Sequence, residues 1–189
     1  MQRRSFLKSI AALPAAASLR GNQGDLRVSE FEQRIFNRIN ELRRQSGSPE
    51  LAWVDAIHMA AREQSARKAQ LRFPGHVDPQ FGDIAERLTA RGLTWSACGE
   101  NLFVERGYDD PVNLAVVCWW YSEGHRRNLL NPDYSQSAVG IAIDPDHRIF
   151  ATQIFMKPPL AVARTQKSPA NQVHRAHKPE ILEKLFRRN

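Results

Sequence analysis

Two short runs near the end of the folded part of the chain, residues 139–143 and 149–155, alternate apolar with small or polar side chains. They flank Asp144-Pro145-Asp146-His147, a tetrapeptide rich in turn formers, so the segment reads as an antiparallel hairpin. What precedes it reads mostly as helix. Ser29-x-x-Glu32 fits a capping box, and Phe31, Ile35, Phe36, Ile39 and Leu42 form one apolar helical face that should end near Gly47. Pro49 to Trp53 is expected as a short ordered connection. Asp55 is placed to cap a second helix, which packs through Ala56, Met59, Ala60 and Ala66 and carries His58 as an ordinary packed or solvated residue. Pro74-Gly75 breaks that helix before His76, a third helix is expected over 81–91, and Asp109 or Asp110 with Pro111 opens a fourth that buries Leu114, Val117, Cys118 and one of Trp119 and Trp120. Helices closed by an antiparallel pair predict an α+β layer architecture.

The 189 residues, 42% of them hydrophobic, suffice for one domain with a full core plus tails. The net charge of +7 is unevenly distributed. Residues 1–20 hold +4 and residues 157–189 hold +6, which leaves −3 for the stretch between them. A mildly acidic domain gives no basic groove for nucleic acid. Gln2-Arg3-Arg4-Ser5-Phe6-Leu7-Lys8 followed by an Ala-rich run over 9–19 is too short to span a bilayer and resembles a twin-arginine export signal, with Ala15-Ala16-Ala17 as the small residues of a cleavage site. A general secretory signal carrying two arginines is the alternative. The expected division is an export signal over 1–20, a linker over 21–27, a domain over 28–156 and a basic, Pro-containing tail over 157–189. The protein is expected to be exported, periplasmic or extracellular, monomeric and without a transmembrane segment.

The chemistry concentrates between Cys98 and Gly140, where Glu100, Ser122, Glu123 and His125 fall close together. Gly99-Glu100-Asn101 reads as a turn that presents a carboxylate, with Trp119 and Trp120 as packing residues nearby. His76, the Gly-Glu-Asn triplet, Trp119-x-x-Ser-x-Gly-His-Arg126, Asn128-Leu129-Leu130 and Val139-Gly140 together resemble the CAP superfamily, the cysteine-rich secretory, antigen and pathogenesis-related proteins with SCP domains. The resemblance runs from about Phe31 to Phe155. It implies a three-layer α-β-α sandwich with a small antiparallel sheet, and a cleft where His76, Glu100 and His125 converge and hold, in some members, a divalent cation such as zinc. Two neutral imidazoles and one carboxylate make a sensible zinc set with a position left for water.

The second acid of that cleft is less clear in this chain. On a continuous helix Glu123 and His125 point about 200° apart, whereas Ser122 and His125 share a face. Ser122 stands where many eukaryotic members carry their second Glu, and Glu123 stays as a weaker cleft residue should Gly124 end the helix. Asn101 is expected as a structural tie, and Arg126, Arg127 and Asn128 as surface or cap residues. Cys98 and Cys118 are the only cysteines. In an oxidising compartment a disulfide between them, worth roughly 3 kcal/mol for such a loop, and two buried free thiols both remain open, and neither is expected as a nucleophile.

Three functions follow as expectations. The first is an exported module whose cleft binds a divalent cation or small ligand at the cell envelope without turnover. A peptidase-like hydrolase using Ser122, His125 and Glu100, or a metal-activated water, is the second. Lipid or sterol capture in an apolar groove is the third.

Overall fold

The computed structural model describes residues 16–159, with side chains from residue 25 onward. Residues 1–15 of the expected export signal, and the tail after residue 159, lie outside the described residues. The order is α1 (Ala16–Gln45), β1 (Ala52–Trp53), α2 (Asp55–Leu71), α3 (Ile84–Ala90), β2 (Ala97–Arg106), α4 (Pro111–Tyr121), α5 (Glu123–Leu130), β3 (Gln136–Ile143) and β4 (Arg148–Lys157). The four strands form one sheet in the order β1-β3-β4-β2, antiparallel except where β1 runs parallel to β3. α2 and α3 cover one face and α1, α4 and α5 the other, each face over its own apolar cluster. This is the α-β-α sandwich expected from the sequence.

The hairpin is where the alternation placed it. Ile143 pairs with Ile149, and Asp144 Oδ1 closes the turn by accepting from the amides of Asp146 and Arg148, both at 2.9 Å. α4 begins as expected, with Asp110 accepting from the Asn113 amide and Pro111 in the first turn. α3 is shorter than the expected 81–91, and Asp83 with Glu86 forms its capping box.

Several expectations change. The stretch 21–27 is helical, part of a continuous α1, because single glycines weaken a helix by about 1 kcal/mol each without breaking it. Ser29 and Glu32 therefore lie inside the helix and make no cap. Ser29 Oγ donates to the carbonyl of Asp25, and Glu32 turns inward. In α2 the buried face is Ile57, Ala60, Ala61, Gln64 and Ser65, while Met59, Ala56 and Ala66 are exposed, so a partly polar face misled the hydropathy reading. Asp55 is the first helical residue, preceded by a cap position, Val54, that has no side-chain bond. In α4 the buried residues are Val112, Ala115, Val116, Trp119 and Trp120, and Cys118 is exposed. Gly99-Glu100-Asn101 is no turn. It sits within β2, paired with Phe155, Ile154 and Gln153.

Two polar joints lock the layers. Glu32, 1% exposed, takes Arg62 Nε and the Ile141 amide on Oε1, at 2.7 and 2.8 Å, and lies 2.9 Å from His58 Nε2 through Oε2. Burial opposes its ionisation, but the bonds from His58, Arg62 and the Ile141 amide outweigh that and hold the carboxyl below its ordinary value. Arg43, fully buried, donates through Nε to Pro49 O at 2.6 Å, through Nη1 to Leu129 O and Asn131 O at 2.6 and 3.1 Å, and through Nη2 to Tyr134 O at 3.1 Å. β3 also runs close under α2. A Cβ on Gly140 would lie 2.1 Å from the Arg62 amide nitrogen and 2.3 Å from the Ala61 carbonyl carbon.

Replacing Arg43 by Met strands those buried carbonyls, so urea unfolding should show a loss of about 3–5 kcal/mol. Gly140→Ala forces one element away from the other, and the same measurement should show a loss of about 1–3 kcal/mol.

Candidate functional site

The site forms at β2, an edge strand of the sheet, where the backbone sends alternate side chains to opposite faces. Glu100 points to the α2–α3 side, while Gly99 and Asn101 face α5. Gly99 is needed for space, since a Cβ there would meet Tyr134 Oη at 2.6 Å and Asn128 Oδ1 at 3.1 Å. Asn101, wholly buried, donates through Nδ2 to the carbonyl of His125 at 3.1 Å. Its Oδ1 accepts from Asn128 Nδ2 at 2.9 Å, and that same nitrogen reaches Glu100 O at 3.3 Å. The Gly-Glu-Asn triplet thus seats α5 on one side and aims a carboxylate to the other. Asn101 is the expected structural tie. Asn128, expected at the surface, is a second one.

Glu100 is buried and both its oxygens are engaged. Oε1 lies 2.9 Å from His76 Nδ1, and Oε2 accepts from Arg87 Nη2 in a short ion pair. Arg87 also donates through Nη1 to the carbonyls of His76, at 2.9 Å, and Gly82, at 3.2 Å. One guanidinium therefore neutralises the carboxylate and clamps the loop that carries the histidine. Lys68 supports the same loop from α2, donating to Phe73 O at 3.1 Å and Gly75 O at 2.7 Å; burial lowers the pKa of its amine, with Glu100 acting in the opposite direction. The His76 ring, its side chain 50% exposed, is thus fixed through Nδ1 while the rest of it faces solvent.

His125 lies near the start of α5, half-buried. Burial first, and next the charge His76 would bring, depress its pKa below the usual histidine value. The charge on His76 thus reaches His125, although 49 positions separate the two in the chain. Neither Ser122 nor Glu123 is hydrogen-bonded to these imidazoles among the described residues. The helix breaks at Ser122, whose extended backbone (φ −84, ψ 121) ends α4 and begins α5, so no continuous helix carries Ser122 to His125. Among the described residues Ser122 Oγ makes no hydrogen bond to either imidazole. Glu123 is solvent-facing, 78% exposed and 3.6 Å from Arg127.

Cys98 and Cys118 are both free. Cys98 packs on the α2 side of the sheet and Cys118 lies on the exposed face of α4, so opposite layers keep them apart. Burial raises the Cys98 pKa, as do the nearby Asp83 and Glu100, which leaves an inert thiol.

Among the described residues, no group of three His, Cys, Asp or Glu side chains is arranged to hold a metal ion. The chemistry of the donors agrees with that. Both oxygens of Glu100 are already bonded, one of them to the permanent charge of Arg87, which disfavours a second cation on the carboxylate. The His76–Glu100–His125 arrangement therefore does not fit a three-ligand zinc centre. Arg87 was not singled out from the sequence; its position just after the Asp83–Glu86 capping box was the one available signal.

A four-stranded sheet between two helical layers is the architecture of SCP-type domains. Residues 36–155 match CAP, the cysteine-rich secretory protein family, and the chain belongs to that family. Among relatives, it is 31% identical over 126 residues to the Bacillus subtilis (strain 168) membrane protein YlbC, covering 67% of this chain and 34% of that one. It is 28% identical over 113 residues to YkwD of the same organism, covering 60% and 43%. The chain thus spans less than half the length of these curated relatives. Among solved structures, an extracellular SCP-domain protein of Bacillus anthracis aligns with a TM-score of 0.58 and 29% identity, over 68% of this chain and 41% of that one. An outer surface protein of Borrelia burgdorferi shares the fold, with a TM-score of 0.58 at 21% identity over 65% and 89%.

Nuclear magnetic resonance titration of the imidazoles checks the convergence of the two rings. His125 should titrate below about 6.5, the ordinary histidine value. Its depressed value means that its neutral form stabilises the fold above that pH and that this contribution is lost as pH falls. In His76→Gln one of the two causes disappears, so the His125 midpoint should rise; an unchanged midpoint means the rings do not share a site.

Proposed function

We propose that this is an exported CAP-domain protein whose cleft, between His76 and His125, binds a small polar ligand at the cell envelope without covalent turnover. The observation that carries this reading is the chain Arg87–Glu100–His76. A carboxylate on Nδ1 holds the proton there and leaves Nε2 as a fixed acceptor, the arrangement that presets an imidazole for hydrogen bonding. His125, whose charged form is disfavoured by burial, adds a second imidazole, which in its neutral form has one donor and one acceptor. Two imidazoles beside a carboxylate already matched by a guanidinium suit an uncharged ligand with hydroxyl or amide groups.

Export is supported by the twin-arginine-like start and by the relatives described as extracellular or outer surface proteins. No described helix is long and apolar enough to cross a membrane. A buried carboxylate orienting an imidazole is also half of a hydrolase, but no hydrogen bond joins Ser122 to either ring among the described residues, which favours binding over nucleophilic catalysis. Lipid capture is not favoured by the cavity the fold does form. The cavity between α2 and α3 is about 200 Å³ and includes four charged residues in its lining.

The test is thermal unfolding in the presence of EDTA, zinc, or a low-molecular-weight extract of the bacterial envelope. The wild type and Ser122→Ala should be indifferent to EDTA and should melt higher in the extract, whereas His76→Ala/His125→Ala should not respond. An EDTA-induced drop restored by zinc overturns the reading in favour of a metal centre. A response dependent on Ser122 overturns it in favour of a hydrolase.

A further inference from the structure

At the hairpin end of the sheet two like charges face each other. Arg106, the last residue of β2, and Arg148, the first of β4, are direct cross-strand partners. Even-numbered residues of β2 share one face, the one on which Cys98 packs beneath α2 and Glu100 meets Arg87, so both arginine side chains rise on the α2 side. The carbonyls of Glu100 and Leu102 accept from Asn128 and Trp119, outside the sheet, and that of Arg148 accepts from the Asp144 amide, so Arg106 and Arg148 form one of the closer, non-hydrogen-bonded pairs. Like charges so opposed destabilise a sheet.

The acids nearby are committed elsewhere. Arg72, at the C-terminal cap of α2, donates to Asp144 Oδ2 at 3.1 Å and to Asp146 Oδ2 at 2.6 Å. The other oxygen of Asp144 accepts from the amides of Asp146 and Arg148, and Glu105 turns to the Arg106 amide, at 2.7 Å. The hydrogen bond from Arg72 holds the Asp146 carboxyl below its ordinary value, and the charges of Arg148 and Arg106 add to that effect without bonding to it. Among the described residues neither Arg106 nor Arg148 forms an ion pair, so three guanidiniums stand against two carboxylates that Arg72 already holds. The corner is also fixed in shape. Asp144 binds both the amide and the carbonyl of Arg148, at 2.9 and 3.0 Å. Arg72 and His147, the two non-glycine residues with positive φ among those described (53 and 60), both stand here, in a conformation that a side chain disfavours.

Two adjacent guanidiniums select a ligand by shape as well as charge. Each presents a planar fork of N–H groups, and two forks call for two pairs of acceptor oxygens. A tetrahedral phosphate offers one edge to each fork. A carboxylate has a single edge and fills one fork only. We propose that Arg106 and Arg148 form a binding site for a phosphate group, roughly 20 Å along β2 from Glu100 and separate from the histidine cleft. The group occurs free, on soluble phosphorylated compounds and in the headgroups of anionic lipids, and the site recognises what they share.

The full chain is titrated at constant ionic strength with inorganic phosphate and, in parallel, with acetate, while the arginine Nε–H resonances are followed. Phosphate should give saturable shifts at Arg106 and Arg148 with a midpoint of about 1–10 mM, as befits so few contacting atoms, and acetate should be at least about tenfold weaker. Arg106→Gln/Arg148→Gln should lose the phosphate response at least about tenfold at the remaining Arg72 resonance, and should melt no lower than the wild type in phosphate-free buffer, because the opposed charges are gone. Arg106→Lys/Arg148→Lys keeps the charge and removes the forks, and should weaken binding as well. Sedimentation with phosphatidylglycerol vesicles distinguishes the sources. Vesicle binding weakened by the glutamine variant identifies a lipid headgroup, and vesicle binding that is absent or unchanged in that variant identifies a soluble phosphate group. Equal response to acetate, a phosphate response undiminished in either double variant, or no saturable shift at the two arginines overturns the proposal.

Discussion

The buried guanidinium of Arg43 is the constraint on which the site geometry rests. Its bonds run from α1 to the carbonyls that end α5 and to the segment entering β3. α5 has eight residues, too few to persist by themselves, and it starts at a backbone break. Its position is therefore imposed from both ends. Arg43 holds the C-terminus, where the helix dipole concentrates negative charge, and Asn101 and Asn128 hold the flank against β2. Burial lowers the Arg43 pKa to about 10, still far enough above neutrality for the charge to persist. A neutral side chain of equal length could fill the space, but it could not serve four carbonyls at once.

The opposite face is organised by the same rule with the sign reversed. Glu100 is an acid in a dry place, and its need for partners recruits Arg87 from α3 and His76 from the loop after α2. Glu32 plays the corresponding part farther along, where β1 is too short to cover β3 and the Ile141 amide turns to a carboxylate instead of a neighbouring strand. Three buried charges, Arg43, Glu32 and Glu100, thus bind helices to the sheet where apolar packing alone would leave the register loose.

How much of this was legible in the sequence follows from range. Features set by neighbours a few residues apart could be read: the β3–β4 hairpin from its alternation, α4 from Asp110 and Pro111, and the end of α1 near Gly47. Features that depend on distant partners could not. Glu32 looks like half of a cap until Arg62 and the Ile141 amide are beside it. Gly99-Glu100-Asn101 looks like a turn because three polar or small residues rarely sit inside a strand, yet here each faces a partner from another element. Ser65 and Gln64 hide the buried face of α2 for the same reason. Of the site, the resemblance to the family picked out His76, Glu100 and His125, and the fold links the first two by a hydrogen bond; Arg87, which pairs with the buried carboxylate, carried no signal beyond its place after the Asp83–Glu86 capping box.

The anchors of this fold share one property, the kind of atom they attach to. Arg43 grips carbonyls, Asn101 grips the carbonyl of His125, and Arg87 grips the carbonyl of His76. In each case the acceptor is backbone, which every residue type provides. The loop and the short helix are therefore held in place whatever side chains they carry. Residues 76 and 125 are each held through the carbonyl, so the elements that present the two imidazoles are anchored separately from the rings themselves.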